Sequence, residues 1–296
     1  SERPSSRRPP KNPNWAKPYD AIGISVMTPQ REEASKLVNK LKEWYPNKIV
    51  IGGGPHFRFY FQDAIKANDP WDYIVPMDGE RALQSIIEGK VDKKIVMDIM
   101  SKEDILAQPR PDRTSENSRN IIKGYHYMLG GRKATTMMCS RGCVEHCKFC
   151  EDAKTNVKWS SLENLVAEMD DIKDLGYQGV YLFDDLFAIA LPKIKPICEE
   201  LKKHDLIYRC NAQARYFTKW GEEMAALLSV TGCYEIAFGA ESVSQKILDN
   251  IEKRTTIEAN YKTVEYAKKH GLIVKAFVML GLPGEDYDTI ADTEKF

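Results

Sequence analysis

The first 138 residues of this chain contain no cysteine, and its charge has no preferred sign. Lys and Arg number 43, and so do Asp and Glu, giving zero formal net charge over 296 residues. A balanced chain lacks the basic footprint by which nucleic-acid binders are first recognised, so no nucleic-acid partner is expected. No apolar run reaches the length of a membrane span, and no signal-type apolar stretch opens the chain. The expected location is the cytoplasm, with no membrane partner. Repeats of the solenoid kind are also missing. The seven cysteines do not scatter in pairs through a short chain, which excludes a secreted disulfide framework. The chain begins at Ser1 and stops at Phe296 inside a helical pattern, which leaves open both a fragment of a longer chain and a reduced scaffold.

Hydrophobic residues make up 43% of the chain, enough for one large core or two ordinary ones. Residues 1–20 carry five prolines (Pro4, Pro9, Pro10, Pro13, Pro18) and read as an extended arm. Residues 21–100 alternate strand and helix signals. Ala21–Met27, Lys48–Ile51 and Tyr73–Val75 are apolar runs, and Gln30–Tyr45 carries apolar residues at helical spacing. Continuous apolar strands between helices imply a parallel sheet covered on both faces. Residues 101–132 are polar, contain Pro109 and Pro111, and read as a linker. Beyond them strands are predicted at Lys133–Met138, Gly179–Phe183, Leu206–Cys210, Tyr234–Phe238 and Ile273–Leu280. The helix after Trp159 is expected to open on Ser160 and Glu163 at capping-box spacing, and the helix before the last strand to end at Gly271. The fold class is therefore α/β, a partial Rossmann-like parallel sheet at 21–100 followed by a partial barrel at 133–296. Function is expected at the C-terminal ends of the barrel strands.

The chemistry is concentrated in Cys139-Ser-Arg-Gly-Cys143-Val-Glu-His-Cys147-Lys-Phe-Cys150. Three thiolates at C-x3-C-x2-C spacing, directly after a strand, can close a loop round one cubane cluster. A cubane has four irons, so three cysteines leave one iron open to a small molecule. Two alternatives stand beside this reading. Zinc could be held with His146 or Cys139 as fourth ligand. Cys139 could instead close a four-cysteine cluster that only moves electrons. Cys198, Cys210 and Cys233 read as small buried residues.

The segment "SRGCVEHCKFC", with an aromatic before its last cysteine, resembles the radical SAM superfamily. "GVYLFDDLF", "NAQAR", "IAFGAES" and "VMLGLPGE" follow in the order and spacing of that family's second to fifth strands. The resemblance covers Lys133 to Glu285 and implies a (β/α)6 radical SAM barrel, whose sixth strand would follow Phe296. It implies a four-iron four-sulfur (4Fe-4S) cluster on Cys143, Cys147 and Cys150, whose open iron chelates S-adenosylmethionine (SAM). Phe149 would lie beside the adenine. Asp184 and Asp185 would receive the methionine ammonium, and Arg215 the carboxylate. Glu241 would accept from the ribose hydroxyls, and the backbone at Gly281 and Pro283 would approach the adenosine. A guanidinium matches a carboxylate, and an ammonium needs acidic or carbonyl acceptors.

"AIGISVMTP", "KIVIGGGPHF" and "DYIVPMDGE" resemble the later half of the cobalamin-binding domain that precedes many such barrels. The resemblance implies that Ser25–Thr28 and the turn Gly52, Gly53, Gly54 approach the corrinoid, where only glycine lets the backbone come close. The family's first βα unit, with its Asp-x-His-x-x-Gly motif, is not found, and His56 stands outside that context. The implied reaction is reductive SAM cleavage to a 5′-deoxyadenosyl radical, with methyl transfer if cobalamin is bound. The substrate would be a small molecule or peptide, and the electron would come from a flavodoxin or ferredoxin. The rivals are an iron–sulfur electron-transfer module and a tRNA methylthiotransferase. The latter class holds a second cluster on three N-terminal cysteines that residues 1–138 lack.

Overall fold

A computed structural model describes residues 14–66, 68–116, 118–120, 126–150 and 152–296. Most of the proline-rich arm and six residues of the linker lie outside this range. The chain divides into two units, Ser1–Met100 and Ser101–Phe296.

The first unit is a three-stranded parallel sheet in the order β1 (Ala21–Ser25), β2 (Ile49–Gly53), β3 (Tyr73–Val75). Helices α1 (Arg31–Trp44), α2 (Pro55–Lys66) and α3 (Glu80–Ile87) follow the strands. Helix α1 buries Ala34, Val38 and Leu41, the i, i+4, i+7 stripe that the sequence shows. These join Ile22, Val50, Phe57, Trp71 and Ile74 in one core, so the sheet is stabilised by the helices it cannot do without.

In the second unit six strands form one sheet. Its order is β11 (Ile273–Val278), β10 (Cys233–Glu241), β9 (Ile207–Ala212), β8 (Gly179–Leu182), β5 (Arg132–Met137), β4 (Tyr127–Leu129). Five of them run parallel, and β4 is an antiparallel addition to β5. The parallel five are the five strands expected from the sequence, with ends moved by at most three residues. Strand β4 lies in the stretch read as linker. That stretch also holds helix α4 (Lys102–Ala107), capped by Ser101.

Between the parallel strands run α5 (Leu162–Asp174), α6 (Leu191–Lys203), α7 (Ala214–Trp220), α8 (Glu222–Val230), α9 (Gln245–Asn250) and α10 (Ile257–Lys269), with α11 (Tyr287–Lys295) after β11. The cap of α5 differs from expectation. Ser161 accepts from Asn164 N, and Ser160 instead donates its backbone N–H to Cys139 O. The competing interaction is the end of the cluster loop, which claims Ser160 first. Gly271 has φ +71° just past α10, as its stop requires. Parallel strands with helices between them leave their C-terminal ends as the free rim on which loops gather.

Candidate functional site

That rim carries the cysteine loop. β5 ends at Met137, and the chain enters a two-residue strand, β6 (Ser140–Arg141), paired antiparallel with β7 (Lys158–Trp159). The pairing pins both ends of the loop 142–157. Within it Cys143 N donates to Thr155 Oγ1 at 2.8 Å, Thr155 N to Cys143 O at 3.0 Å, and Lys154 N to Glu145 O at 2.7 Å. Gly142 turns the chain at φ +93°, where a Cβ would stand 2.5 Å from Asn156 O. Its N–H donates to Asp185 Oδ2 at 2.7 Å, tying the loop to the end of β8.

Cys143, Cys147 and Cys150 all line one cavity of about 250 Å³, together with Phe149, Asp185 and Glu241. Burial pushes the Cys143 thiol up to about 11, and that of Cys147 also upward. Thiols held high by desolvation become thiolates when a cationic centre arrives. Among the described residues no three His, Cys, Asp or Glu side chains converge on a single-ion position. Three sulfurs spread round one cavity fit a multi-iron cluster better than one zinc ion. Cys139 is fully buried in the barrel core with Met137, Leu165 and Met169, and does not line the cavity. It is not positioned as a fourth ligand.

Three side chains in this cavity were not singled out from the sequence. Lys253, buried, holds Glu241 Oε1 at 2.8 Å, and its ammonium stands 5.8 Å from the centroid of the Phe149 ring. Glu145 and Gln213 are buried, and each has one oxygen, Oε2 and Oε1, without a partner. An unsatisfied buried acceptor costs about 1–3 kcal/mol, so two in one cavity ask for a donor. The cavity thus offers sulfur, an ammonium, orphan acceptors and an aromatic ring. That donor set fits a cluster together with an amino acid bearing an adenosyl group. Gly239 keeps the arrangement open: a Cβ there would meet Lys253 Nζ at 2.6 Å and press on the Glu241 carboxylate.

Other expected residues are placed elsewhere. Asp184 is fully buried; its carboxylate accepts from Cys139 N at 3.0 Å and Ser140 Oγ at 2.6 Å. Only its carbonyl turns toward a lining residue, accepting from Asn211 Nδ2 at 2.9 Å. Arg215 does not line the cavity; its Nε is 3.0 Å from Glu145 Oε1, and Tyr216 donates to the same oxygen at 2.7 Å. Gly281 and Pro283 lie on the loop after β11, where Gly281 N donates to Glu285 Oε2 and Pro283 O accepts from Asn250 Nδ2. Position in chain order could not separate Lys253 from the exposed lysines, because its neighbours Glu252 and Arg254, both at positive φ, are what turn it inward.

The first unit has its own cavity, about 360 Å³, at the C-terminal ends of its three strands. Ser25, Gly52, Gly53 and Gly54 line it, with Gly23 and Gly79 besides. Nothing stands within 4 Å of where a Cβ on Gly23 would lie, and only Val75 O, at 3.5 Å, near one on Gly53. Gly23 and Gly53 therefore leave the cavity floor bare, whereas a Cβ on Gly52 would stand 2.8 Å from the Phe57 ring and one on Gly54 2.5 Å from Ser25 Oγ, so those two glycines allow close packing. Thr28 lies outside it, in the turn Thr28–Gln30. His56 lines a different cavity, of about 420 Å³.

Residues 137–296 match the sequence model of the radical SAM superfamily, and residues 16–87 match that of the B12 binding domain. An uncharacterized methyltransferase of Pyrococcus horikoshii is 26% identical over 292 residues, covering 94% of this chain and 63% of the relative. An anaerobic magnesium-protoporphyrin IX monomethyl ester cyclase of Rubrivivax gelatinosus is 25% identical over 300 residues, covering 93% and 53%. The chain thus spans little more than half the length of these relatives. Two solved structures share the fold. The cobalamin-dependent S-adenosylmethionine radical enzyme OxsB with aqua-cobalamin has TM-score 0.74 at 21% identity, over 93% of this chain and 43% of that one. The radical S-adenosylmethionine methyltransferase TsrM of Kitasatospora setae has TM-score 0.73 at 17% identity, over 94% and 61%.

Proposed function

We propose that this chain, which belongs to the radical SAM superfamily, binds SAM against a cluster held by Cys143, Cys147 and Cys150 and acts in cobalamin-dependent methyl transfer. The observation that carries this reading is the shared cavity: three cysteines, a buried ammonium and two orphan acceptors face one space. When bound, the 4Fe-4S cluster supplies the electron that cleaves the SAM S–C5′ bond to methionine and a 5′-deoxyadenosyl radical.

The residues then have separable tasks. Lys253, fixed by Glu241, receives the SAM carboxylate, a role the sequence resemblance gave to Arg215. Arg215 instead holds Glu145 in place. Glu145 Oε2 and Gln213 Oε1, with Asp185 at the end of β8, accept from the methionine ammonium, which has three N–H donors to satisfy. Phe149 packs beside the adenine. Glu241 keeps one oxygen for the ribose while the other holds Lys253. Glu145, Gln213, Glu241 and Lys253 are buried, so their end of the cavity is shielded from water.

In the first unit the glycine cradle of Ser25 and Gly52–Gly54 takes cobalamin. The matching B12-binding segment and the methyltransferases among the relatives support this assignment. The electron comes from an external one-electron donor such as a flavodoxin or ferredoxin. Among the described residues no helix is long and apolar enough to cross a membrane. A thiolate-held cluster suits the reducing cytoplasm, and we place the reaction there.

The test is anaerobic reconstitution followed by iron and sulfide analysis and EPR. Wild type and Cys139→Ala are expected to hold about four irons each, as a cubane does, and to change EPR signal on adding SAM. Cys147→Ala should hold none. A full cluster in Cys147→Ala, or its loss in Cys139→Ala, would overturn the assignment.

A further inference from the structure

Two buried nitrogens of the first unit have no partner among the described residues. They are Nδ1 of His56 and Nε1 of Trp71, and the two residues are only 6% and 3% exposed. Both residues line the cavity of about 420 Å³, whose walls come from α1 and α2. It shares no lining residue with the glycine-lined cavity or with the cysteine cavity. A buried polar group left unpaired destabilises the fold, so two on one cavity ask for a ligand.

The rings that carry these nitrogens are held in place. The Phe57 ring packs against both, with centroids 5.4 Å from His56 and 5.3 Å from Trp71, and Tyr60 stacks on His56 at 5.5 Å. Gly52 makes room for the group, since a Cβ there would stand 2.8 Å from Phe57 and 3.0 Å from Trp71. Packed rings cannot turn to find other partners.

Their chemistry defines what would bind. An indole Nε1 only donates, so the ligand must accept there. Burial, with Arg31 nearby, holds His56 below its usual range, so the imidazole is neutral and has one acceptor nitrogen. The charged side chains on the cavity are mixed, Arg31 and Lys36 against Glu32, Asp63 and Asp69, and give an ion no clear partner. Val26, Ala34, Phe57 and Ala64 supply buried apolar wall.

We propose that this cavity binds an uncharged nitrogen heterocycle, which accepts a hydrogen bond from Trp71 Nε1, donates one to His56 Nδ1 and packs its ring on the apolar wall. The site is independent of the cluster, SAM and cobalamin assignments. Water is the competing partner of the two nitrogens.

Benzimidazole is the probe, because one flat ring system carries an acceptor nitrogen and an N–H. Indole lacks the acceptor and 1-methylbenzimidazole lacks the donor. The full chain is labelled with 15N-tryptophan, which gives five indole N–H signals. That of Trp71 is identified by its loss in Trp71→Phe. Adding benzimidazole to wild type should shift the Trp71 signal saturably. Binding should be at least about fivefold tighter than for either analogue, the size of one net hydrogen bond. His56→Phe should close the gap between benzimidazole and 1-methylbenzimidazole, with the other indole signals reporting that the variant is folded. If it does not fold, the three probes on wild type still decide. An unmoved Trp71 signal would leave the two nitrogens to water and overturn the proposal. Equal binding of the three probes, or an unchanged gap in folded His56→Phe, would overturn it as well.

Discussion

Glu241 sits at φ +60°, a conformation that costs a non-glycine residue about 1–3 kcal/mol. The surroundings enforce it: the register of β10 against β11 shifts between Gly239 and Glu241, and Met279 N donates to Glu241 O at 3.0 Å. The strain aims the carboxylate at Lys253 and the cavity. Asp184 shows the opposite use of a carboxylate, as a fastener behind the site. Burial raises it from 3.8 to about 6, the bonds from Ser140 and Cys139 only partly offsetting the loss of water. Below pH 3.8 it is protonated in both the folded and the unfolded chain. Between 3.8 and about 6 the unfolded chain releases its proton first, so rising pH lowers stability. Above about 6 the cost is constant at about 3 kcal/mol. Asp184→Asn should lack this slope. Urea unfolding should show the stability difference between variant and wild type moving by about that amount in the variant's favour from pH 4 to pH 6.5; a constant difference would contradict the account. The sequence motifs single out Cys143, Cys147, Cys150, Phe149, Asp185 and Glu241, and the fold brings these six to one cavity. Glu145, Gln213 and Lys253 were not, because what distinguishes them is a missing partner or a turn, and neither has a letter in the sequence.

At the scale of elements, the strands and the longer helices were readable because apolar periodicity records which face is buried. Elements held by one tertiary interaction were not. The segment 101–132 has the polar composition of a linker, yet Arg113 within it is buried against β5 and α5. Its guanidinium holds Glu168 Oε1 at 2.6 Å and donates to Thr136 O. Arg110 adds Asp171 on the same helix at 2.7 Å. Desolvation raises the Glu168 carboxyl against the pull of Arg113. Removing one partner of such a pair leaves a buried charge alone, at about 3–5 kcal/mol. Arg113→Met should therefore destabilise the chain by that order in urea, and Arg113→Met with Glu168→Leu should recover most of it. Equal losses in the single and double variants would show that the pair does not fasten the segment.

At the scale of the whole molecule, the order of a parallel three-stranded sheet and a five-strand parallel barrel portion was visible in chain order alone, since each βα unit carries its own signal. The added antiparallel strand β4 was not, being only three residues long inside a stretch that is otherwise polar. Both cavities lie at the C-terminal ends of parallel strands, where such sheets gather their ligands. The central claim is that the cysteine cavity generates a radical from SAM. Its most direct measurement is 5′-deoxyadenosine, quantified by mass spectrometry after anaerobic reconstitution and reduction. The account predicts product from wild type and none from Cys147→Ala. A wild-type protein with a full four-iron cluster and bound SAM that forms no 5′-deoxyadenosine, or a Cys147→Ala variant that forms as much as wild type, would contradict it.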